Sequence, residues 1–288
     1  MIQTLVISGG GPNFLAHLGI LQKCFEHGIL DMSNIVSCYA TSAGTMPCML
    51  LAMRIPITEI ADYFIQRPWD KWLKFDAMIF DMKCMCDSES LREAMKPFFN
   101  AYDVPLDVTF TQFHERFGVD LHFFASAVDT LESVDFCKDT QPDLSIVDAA
   151  IMSSSIPPLY RPLMHAGRLY MDGGFTADFP VTACLQKTNP ENVLAISNDY
   201  AHLAVNGNPE TAFSLFAHVM NIFISNSTQR SENDAAARRC KHFIPHSADS
   251  MFSPDLWQKF FTSPETRSSV YEAGRASAQT YFTSNEHC

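Results

Sequence analysis

This sequence is short of basic residues. It also lacks long apolar runs and closely paired cysteines. Its 20 Lys and Arg face 32 Asp and Glu, which gives a formal net charge of −12. A protein that grips a nucleic-acid backbone needs clustered Lys and Arg, so we expect no nucleic-acid partner. The same shortage disfavours a broad electrostatic attachment to anionic membranes. No uncharged apolar run reaches the roughly 20 residues of a membrane-spanning helix.

Signals for export and for metal binding are also missing. The N-terminus has no basic region followed by a long apolar stretch, so we expect a cytoplasmic protein without a signal peptide. The nine cysteines include no C-x-x-C pair. In Cys84-Met-Cys86 the two thiols flank a single residue, which is a poor spacing for zinc. We therefore expect reduced thiols rather than a metal site.

The apolar pattern that is present predicts alternating strands and helices. A strand over 2–7 meets a glycine turn, a helix from Asn13 ends at Gly28, and a second strand covers 35–40. This order indicates a parallel sheet with helical crossovers, hence an α/β protein. With no internal repeat or linker, we expect one domain over 1–288. Further elements are predicted at 57–65 (helix), 120–128 (strand), 145–153 (helix), 168–171 (strand), 192–197 (strand), 211–225 (helix) and 268–281 (helix).

Ser42 lies where the second strand meets the following helix, in Ala40-Thr-Ser-Ala-Gly44. A nucleophilic serine needs this context, because a sharp turn flanked by small residues lifts the hydroxyl off the sheet. The start of the next helix favours negative charge beside it. Ala40 stands where the G-x-S-x-G pattern has its first glycine, a difference of one methyl group. The plain alternative is a serine that only caps a helix.

Gly9, Gly10 and Gly11 follow the first strand and precede the first helix. Consecutive glycines let backbone N–H groups converge on an anion, so they form either an oxyanion hole or a phosphate cradle. A nucleotide is disfavoured because Phe14 breaks the dinucleotide fingerprint and the P-loop lysine is absent. A glycine turn without any ligand is the third alternative.

Asp172, followed by Gly173 and Gly174, ends another predicted strand. By itself this is a common turn. Together with Ser42 and the three glycines, however, it fills the roles of base, nucleophile and oxyanion hole that acyl transfer requires.

Five stretches together resemble the patatin-like phospholipase family. The segment 8–21 (SGGGPNFLAHLGIL) is similar to the family's opening block, and 40–45 (ATSAGT) is similar to its serine elbow. Asp172-Gly-Gly resembles its D-G-[GA] block, and 149–160 (AAIMSSSIPPLY) resembles the segment before that aspartate. The segment 271–275 (YEAGR) is similar to its last helix. The stretches occur in the family's order along almost the whole chain.

The resemblance implies a three-layer α/β/α fold with a mainly parallel sheet and a metal-independent lipid acyl hydrolase without a cofactor. It implies Ser42 as nucleophile, Asp172 as general base and an acyl-enzyme intermediate. Gly9–Gly11 would form the oxyanion hole, supported by Ala40, Gly44, Gly173 and Gly174. The expected substrate is a phospholipid or lysophospholipid at a membrane surface, contacted transiently. The resemblance leaves a homodimer and an activating protein partner open.

Departures from the family pattern support an alternative, a weakly active or inactive lipid-binding or scaffold protein. Asn13 stands where the family usually has Arg or Lys, and Phe14 stands where it has Gly. His17 and His165 are candidates for a histidine base, but His17 falls well inside the first helix, where a packing or solvent-facing role is favoured.

Methionines recur at helical spacing within 76–86, at Met78, Met82 and Met85. They suit either a flexible lid that meets lipid or, as we prefer, a helix that faces the core. The apolar run 213–224 is too short to span a bilayer and is read as a packed helix.

Overall fold

The computed structural model describes residues 1–71, 89–157, 159–200, 215, 219, 228–248 and 254–285. Its strands are β1 (Thr4–Ile7), β2 (Ser37–Thr41), β3 (Asp120–Ala127), β4 (Ser133–Phe136), β5 (Leu163–His165), β6 (Arg168–Asp172), β7 (Val193–Asp199) and β8 (His242–Ser247). Its helices are α1 (Phe14–Glu26), α2 (Thr45–Ala52), α3 (Ile57–Gln66), α4 (Glu89–Ala101), α5 (Phe110–Phe117), α6 (Ile146–Ser153), α7 (Gly174–Ala177), α8 (Val181–Leu185), α9 (Thr228–Ala237), α10 (Pro254–Thr262) and α11 (Pro264–Asn285).

Within the described residues, eight strands form one mixed sheet. Its centre is parallel, in the order β3-β2-β1-β7-β8. Strands β4 and β6 run antiparallel to β3, and β5 pairs antiparallel with β6. Short apolar strands separated by helices produce this arrangement, because parallel neighbours need a crossover connection. The predicted α/β class with a mainly parallel sheet is confirmed.

Helices cover both faces of the sheet, as the pattern of buried residues in β1 shows. Leu5 and Ile7 point into a first core, which is shared mainly with α1 to α6, α10 and α11. Val6, between them, points into a second core shared with α7, α8 and α9. Successive side chains of a strand face opposite sides, so a strand buried on both faces reads as a continuous apolar run. The three-layer prediction is confirmed.

Helices α1 and α11 cross at two glycines. A Cβ added to Gly19 would lie 2.1 Å from the carbonyl oxygen of Tyr271, and one added to Gly274 would lie 1.9 Å from that of Ala16. Only hydrogen fits at either position, so the two backbones approach each other directly. This crossing fixes α1, whose N-terminus follows the glycine turn.

Arg267 of α11 is buried, and its guanidinium ties two helix ends together. It donates to the carbonyl oxygens of Ile65 at 2.8 Å and Arg67 at 3.0 Å, where α3 ends, and to that of Phe260 in α10 at 2.5 Å. The last carbonyl groups of a helix lack partners within it and carry partial negative charge, so a cation fits there. Arg267 thereby holds α3 and α10 side by side.

Most strands and helices predicted from the sequence are confirmed. Ser145 caps α6, because its hydroxyl accepts from the N–H of Asp148 at 3.4 Å. Strands β4, β5 and β8 were not predicted. The predicted features at 76–86 and 211–225, including Cys84 and Cys86, lie outside the described residues, apart from Leu215 and Val219. Of the helices within the described ranges, none has both the length and the apolar character to cross a membrane.

Candidate active site

Ser42 occupies a strained turn between β2 and α2. Its φ angle is 51°, a left-handed conformation that residues other than glycine rarely adopt. The turn is held from below, because the Ser42 N–H donates to Ser153 Oγ at 2.8 Å and the Ser153 hydroxyl donates to the carbonyl oxygen of Phe124 at 2.5 Å. Gly44 makes the turn possible, since a Cβ there would lie 2.6 Å from the carbonyl oxygen of Ser8. Strain of this kind is typical of functional sites.

The hydroxyl of Ser42 donates to Asp172 Oδ2 at 2.5 Å. The two residues are 130 positions apart, and β3 brings them together. Thr41 pairs with Phe124, whereas Asp172 pairs with Ala125, the next residue of β3. The end of β2 and the end of β6 therefore meet at one point of the sheet.

The carboxylate of Asp172 is almost fully buried. Its pKa is raised to about 7, mainly by burial and in smaller part by the nearby charge of Asp178, while hydrogen bonds from Ser42 and from the N–H of Gly174 act in the opposite direction. The Gly174 N–H donates to Oδ1 at 2.7 Å, which leaves Oδ2 facing the serine. A Cβ on Gly173 would lie 2.2 Å from the carbonyl oxygen of Phe124, so glycine is needed for this approach. A carboxyl group with a pKa near neutrality is suited to moving a proton.

The glycine turn lies beside the serine. A Cβ on Gly9 would lie 3.2 Å from the Cβ of Ser42 and 2.6 Å from Asp178 Oδ1. The N–H of Gly9 donates to the carbonyl oxygen of Asp178 at 3.0 Å. Gly10 and Gly11 have φ angles of 150° and 52°, so the backbone turns there in a way that suits glycine. Gly9 therefore supplies space near the serine, and its own N–H group is already engaged.

A buried polar network holds the glycine turn in place. Asn198, at the carboxyl end of β7, donates from Nδ2 to the carbonyl oxygen of Gly9 at 2.7 Å. Its backbone N–H donates to Ser8 Oγ at 3.1 Å. On the other side, Asn198 Oδ1 lies 3.1 Å from His17 Nε2. Asn13 contributes as well, because its Nδ2 donates to the carbonyl oxygen of Gly10 at 3.1 Å.

The sequence left His17 either a packing or a solvent-facing role. The structure shows the packing role, because the side chain is fully buried. Its pKa is lowered to about 3, mainly by burial and in smaller part by the charge of His246, and the hydrogen bond with Asn198 only partly offsets these effects. Its hydrogen-bond partner is Asn198 rather than Ser42. His165 lies on β5 and faces Gln141 at 3.3 Å. Neither histidine is hydrogen-bonded to the serine.

An apolar cleft opens onto Ser42 and Asp172. Its aromatic lining residues are Phe14, Phe64, Trp69, Tyr160, Trp257, Phe260 and Phe261. The ring of Phe14 meets that of Phe64 edge-on, with centroids 4.8 Å apart. Phe14, one of the departures from the family pattern, is thus part of the apolar wall. Arg267 also supports this wall, because it fixes the ends of α3 and α10, the helices that carry several of these rings.

Some residues of the site were not singled out from the sequence, namely Ser8, Ser153, Asp178 and Asn198. The sequence could have indicated Asn198, because this polar residue directly follows a predicted apolar strand. Such a residue lies at the carboxyl edge of the sheet, where the site is. Ser153 and Asp178 had no such signal, since their positions depend on how α6 and the segment after α7 pack. Ala40 lies within β2, opposite Ile7, and is fully buried.

Comparison with protein-family models gives a match to the patatin-like phospholipase model over residues 5–185, more than half of the chain. The chain belongs to the patatin-like phospholipase family. The matched region contains Ser42, Asp172 and the glycine turn, so the family assignment and the hydrogen-bonded geometry concern the same residues.

Relatives of this family member include two viral proteins. It is 24% identical over 197 residues to the probable lipid hydrolase 463L of Invertebrate iridescent virus 6, covering 66% of each chain. It is 26% identical over 188 residues to the uncharacterized protein R571 of Acanthamoeba polyphaga mimivirus, covering 63% of this chain and 61% of that one. The chain thus spans just under two thirds of these relatives. The fold of VipD from Legionella pneumophila is similar, with a TM-score of 0.56 and 16% identity over 98% of this chain and 67% of that one.

Proposed function

We propose that the protein hydrolyses fatty-acyl esters of phospholipids or lysophospholipids through Ser42 and Asp172. The observation that carries this proposal is the hydrogen bond of 2.5 Å from the strained serine to a buried carboxylate. Family membership and the lipid hydrolase name of one relative support the class of substrate.

In the first half of the reaction, Asp172 Oδ2 accepts the proton of the Ser42 hydroxyl while Oγ bonds to the carbonyl carbon of the ester. The N–H groups of Gly10 and Gly11, together with the start of α2, meet the negative charge that develops on the carbonyl oxygen. The bond to the alcohol then breaks, and the leaving oxygen takes the proton from Asp172. The products are an acyl-enzyme and the free alcohol.

In the second half, water replaces the alcohol. Asp172 takes a proton from the water while the oxygen of that water bonds to the acyl carbon. Ser42 Oγ then leaves, recovers the proton, and the fatty acid is released. The aspartate can act without histidine because its pKa lies near 7, close to the pH at which a base accepts and returns a proton readily.

The cleft supports an acyl chain as the group held beside the serine. Its wall is formed largely by aromatic rings, and such a wall favours a hydrocarbon chain over a polar head group. Lipid reaches the cleft at a membrane surface, so we propose transient peripheral contact of a cytoplasmic protein rather than stable insertion.

The test is release of fatty acid from mixed micelles of phospholipid or lysophospholipid by the full chain in EDTA. Ser42→Ala should lose the activity. Ser37→Ala, at the opposite end of the same strand β2, is the matched control and should retain it. No release by the wild type, or equal release by the Ser42→Ala variant, contradicts the proposal. Loss of wild-type activity in EDTA, while the protein stays folded by circular dichroism, contradicts the metal-independent chemistry.

A fluorophosphonate probe separates the enzyme from the alternative of an inactive lipid-binding protein. We expect the probe to label the wild type at Ser42 and to leave Ser42→Ala unlabelled. A wild type that is folded by circular dichroism, binds lipid and resists the probe would favour the inactive protein.

A further inference from the structure

A second cluster of reactive side chains lies away from the Ser42 cleft. His122, Asp135 and Cys137 each offer one ligand atom, and the three atoms lie within 4.8 Å of one another. His122 Nδ1 is 2.8 Å and 3.1 Å from the two carboxylate oxygens of Asp135. His122 and Cys137 are buried, whereas Asp135 is partly exposed. The proposed hydrolysis uses none of these residues.

The register of the β3–β4 hairpin builds the cluster. Phe123 pairs with Phe136, so the next pair along the ladder is His122 and Cys137. Side chains two positions apart in a strand face the same way, which puts Asp135 on the face of Cys137. These three side chains lie on the same face of the sheet as Phe124, which belongs to the second core. His122 lies three residues before Ala125, the partner of Asp172, or about 10 Å along the strand.

Neighbouring groups hold the cluster in place. The ring of Tyr39 stacks on that of His122, with centroids 4.1 Å apart and planes 2° apart. Thr140 donates to the carbonyl oxygen of Asp135 at 2.6 Å and accepts from the N–H of Cys137 at 3.2 Å. Such supporting contacts orient ligands before a metal arrives.

We propose that His122, Asp135 and Cys137 bind a zinc ion. Zinc takes thiolate, imidazole and carboxylate ligands at about 2.0–2.3 Å, and this set supplies one of each. A thiolate and a carboxylate together balance the charge of Zn²⁺. Water would supply the fourth ligand from the solvent-open groove that His122 lines together with Asp139 and Lys187.

Zinc here stabilises the hairpin and takes no part in the hydrolysis. Among the described residues, β4 pairs only with β3. A zinc ion held from both strands links that outer strand to the sheet, and an ion that binds the folded state raises its stability. Binding displaces protons from the thiol and the imidazole, so affinity should rise with pH.

The experiment titrates zinc chloride into the chelator-treated full chain by calorimetry, and counts bound metal by mass spectrometry. We expect one zinc per chain and a higher Tm. Cys137→Ser and Asp135→Asn should each weaken binding by at least about 10-fold. Cys240→Ser, another buried thiol beside the same core, is the matched control and should bind as the wild type does.

Cobalt(II) provides a second readout that does not depend on stability. Cobalt bound to Cys137 gives thiolate-to-metal charge-transfer absorption, which should vanish in Cys137→Ser and persist in Ser42→Ala. No zinc bound by the folded wild type, or binding that is unchanged by both Cys137→Ser and Asp135→Asn, overturns the proposal. Because Ser42→Ala is expected to bind zinc normally, this result is independent of the proposed hydrolysis.

Discussion

Asp172 sets the pH at which the proposed reaction runs. The aspartate must be ionised to accept the serine proton, and its pKa is raised to about 7 mainly by burial. We therefore expect kcat/KM to rise as pH increases through about 7 and to level off above it. The measurement is the pH profile of fatty-acid release from about pH 5 to about pH 9.

The neighbouring carboxylate of Asp178 makes this profile testable by substitution. Its charge raises the pKa of Asp172, so Asp178→Asn should lower the midpoint of the profile. The backbone carbonyl that accepts from Gly9 is unaffected by this change. A midpoint that moves upward, or a wild-type profile that falls through neutral pH, contradicts the assignment of Asp172 as base.

Asn198 positions the glycine turn without touching the serine. Asn198→Ala removes the donor to the carbonyl oxygen of Gly9 and the partner of His17. We expect kcat to fall by about 10- to 100-fold with little change in KM, because the turn loses its alignment with the reacting carbonyl group. Steady-state kinetics of micelle hydrolysis measures both constants.

Asn192→Ala is the matched control for Asn198→Ala. Asn192 directly precedes β7, at the end opposite Asn198, and its side chain donates to Gln3 at the surface. The control should keep both kinetic constants. Equal losses in the two variants, or a change confined to KM in Asn198→Ala, would contradict the positioning role.

At the scale of elements, the crossing of α1 and α11 is the most sensitive contact. In Gly274→Ala the new methyl group meets backbone atoms of Ala16, which cannot rotate away. The helices must separate, and we expect a loss of at least about 2 kcal/mol in the free energy of unfolding, within the range for overpacking. Chemical denaturation measures this loss.

Gly118→Ala is a useful comparison for the crossing. Gly118 has a φ angle of 68° and open space around its Cβ position, so the change strains the backbone without a clash. Its cost should be about 1–2 kcal/mol, the ordinary penalty of a left-handed residue. A Gly274→Ala variant as stable as the wild type would show that the helices do not meet as described.

Elements with a strong local pattern could be predicted from the sequence, and elements that depend on partners could not. Strands β1 and β7 are short apolar runs buried on both faces, so their composition alone indicates them. Strand β8 contains Pro245 and two histidines, and it forms because β7 offers an edge. The β5–β6 hairpin turns at Ala166 and Gly167, both with positive φ, and lacks the Asn-Gly signal of such turns.

The candidate site was only partly predictable, for the same reason. Local context indicated Ser42, the glycine turn and Asp172 separately, and the family resemblance joined them. Their actual distance depends on the pairing of β3 with both β2 and β6, which no local pattern shows. The Asn198 network and the cluster around His122 likewise arise from contacts between distant segments.

At the scale of the whole molecule, the net charge of −12 affects the proposed contact with lipid surfaces. Anionic surfaces repel an acidic protein, so at low salt we expect slower fatty-acid release from anionic vesicles than from zwitterionic ones. The difference should shrink at about 1 M salt, where the screening length is only about 3 Å. Initial rates on the two vesicle types measure this effect. Faster hydrolysis of anionic vesicles at low salt would contradict it.

The most direct test of the account replaces Asp172 with Asn. The shape is retained while the basic oxygen is lost, so fatty-acid release should fall by at least about 100-fold. Folding should survive: the raised pKa means that the folded state holds this proton more tightly than the unfolded state, so stability falls as pH rises from the ordinary pKa of 3.8 to about 7, and the full cost is present at pH 8. The Asn variant should therefore be at least as stable as the wild type at pH 8.

His165→Gln, a change at a histidine that faces Gln141 rather than the serine, serves as the control and should keep the wild-type rate. Fatty-acid release by the three folded proteins, wild type, Asp172→Asn and His165→Gln, is measured side by side in EDTA. The account predicts that only Asp172→Asn is inactive. A near-normal rate in Asp172→Asn, with activity lost in folded His165→Gln, would contradict it and point to a histidine base.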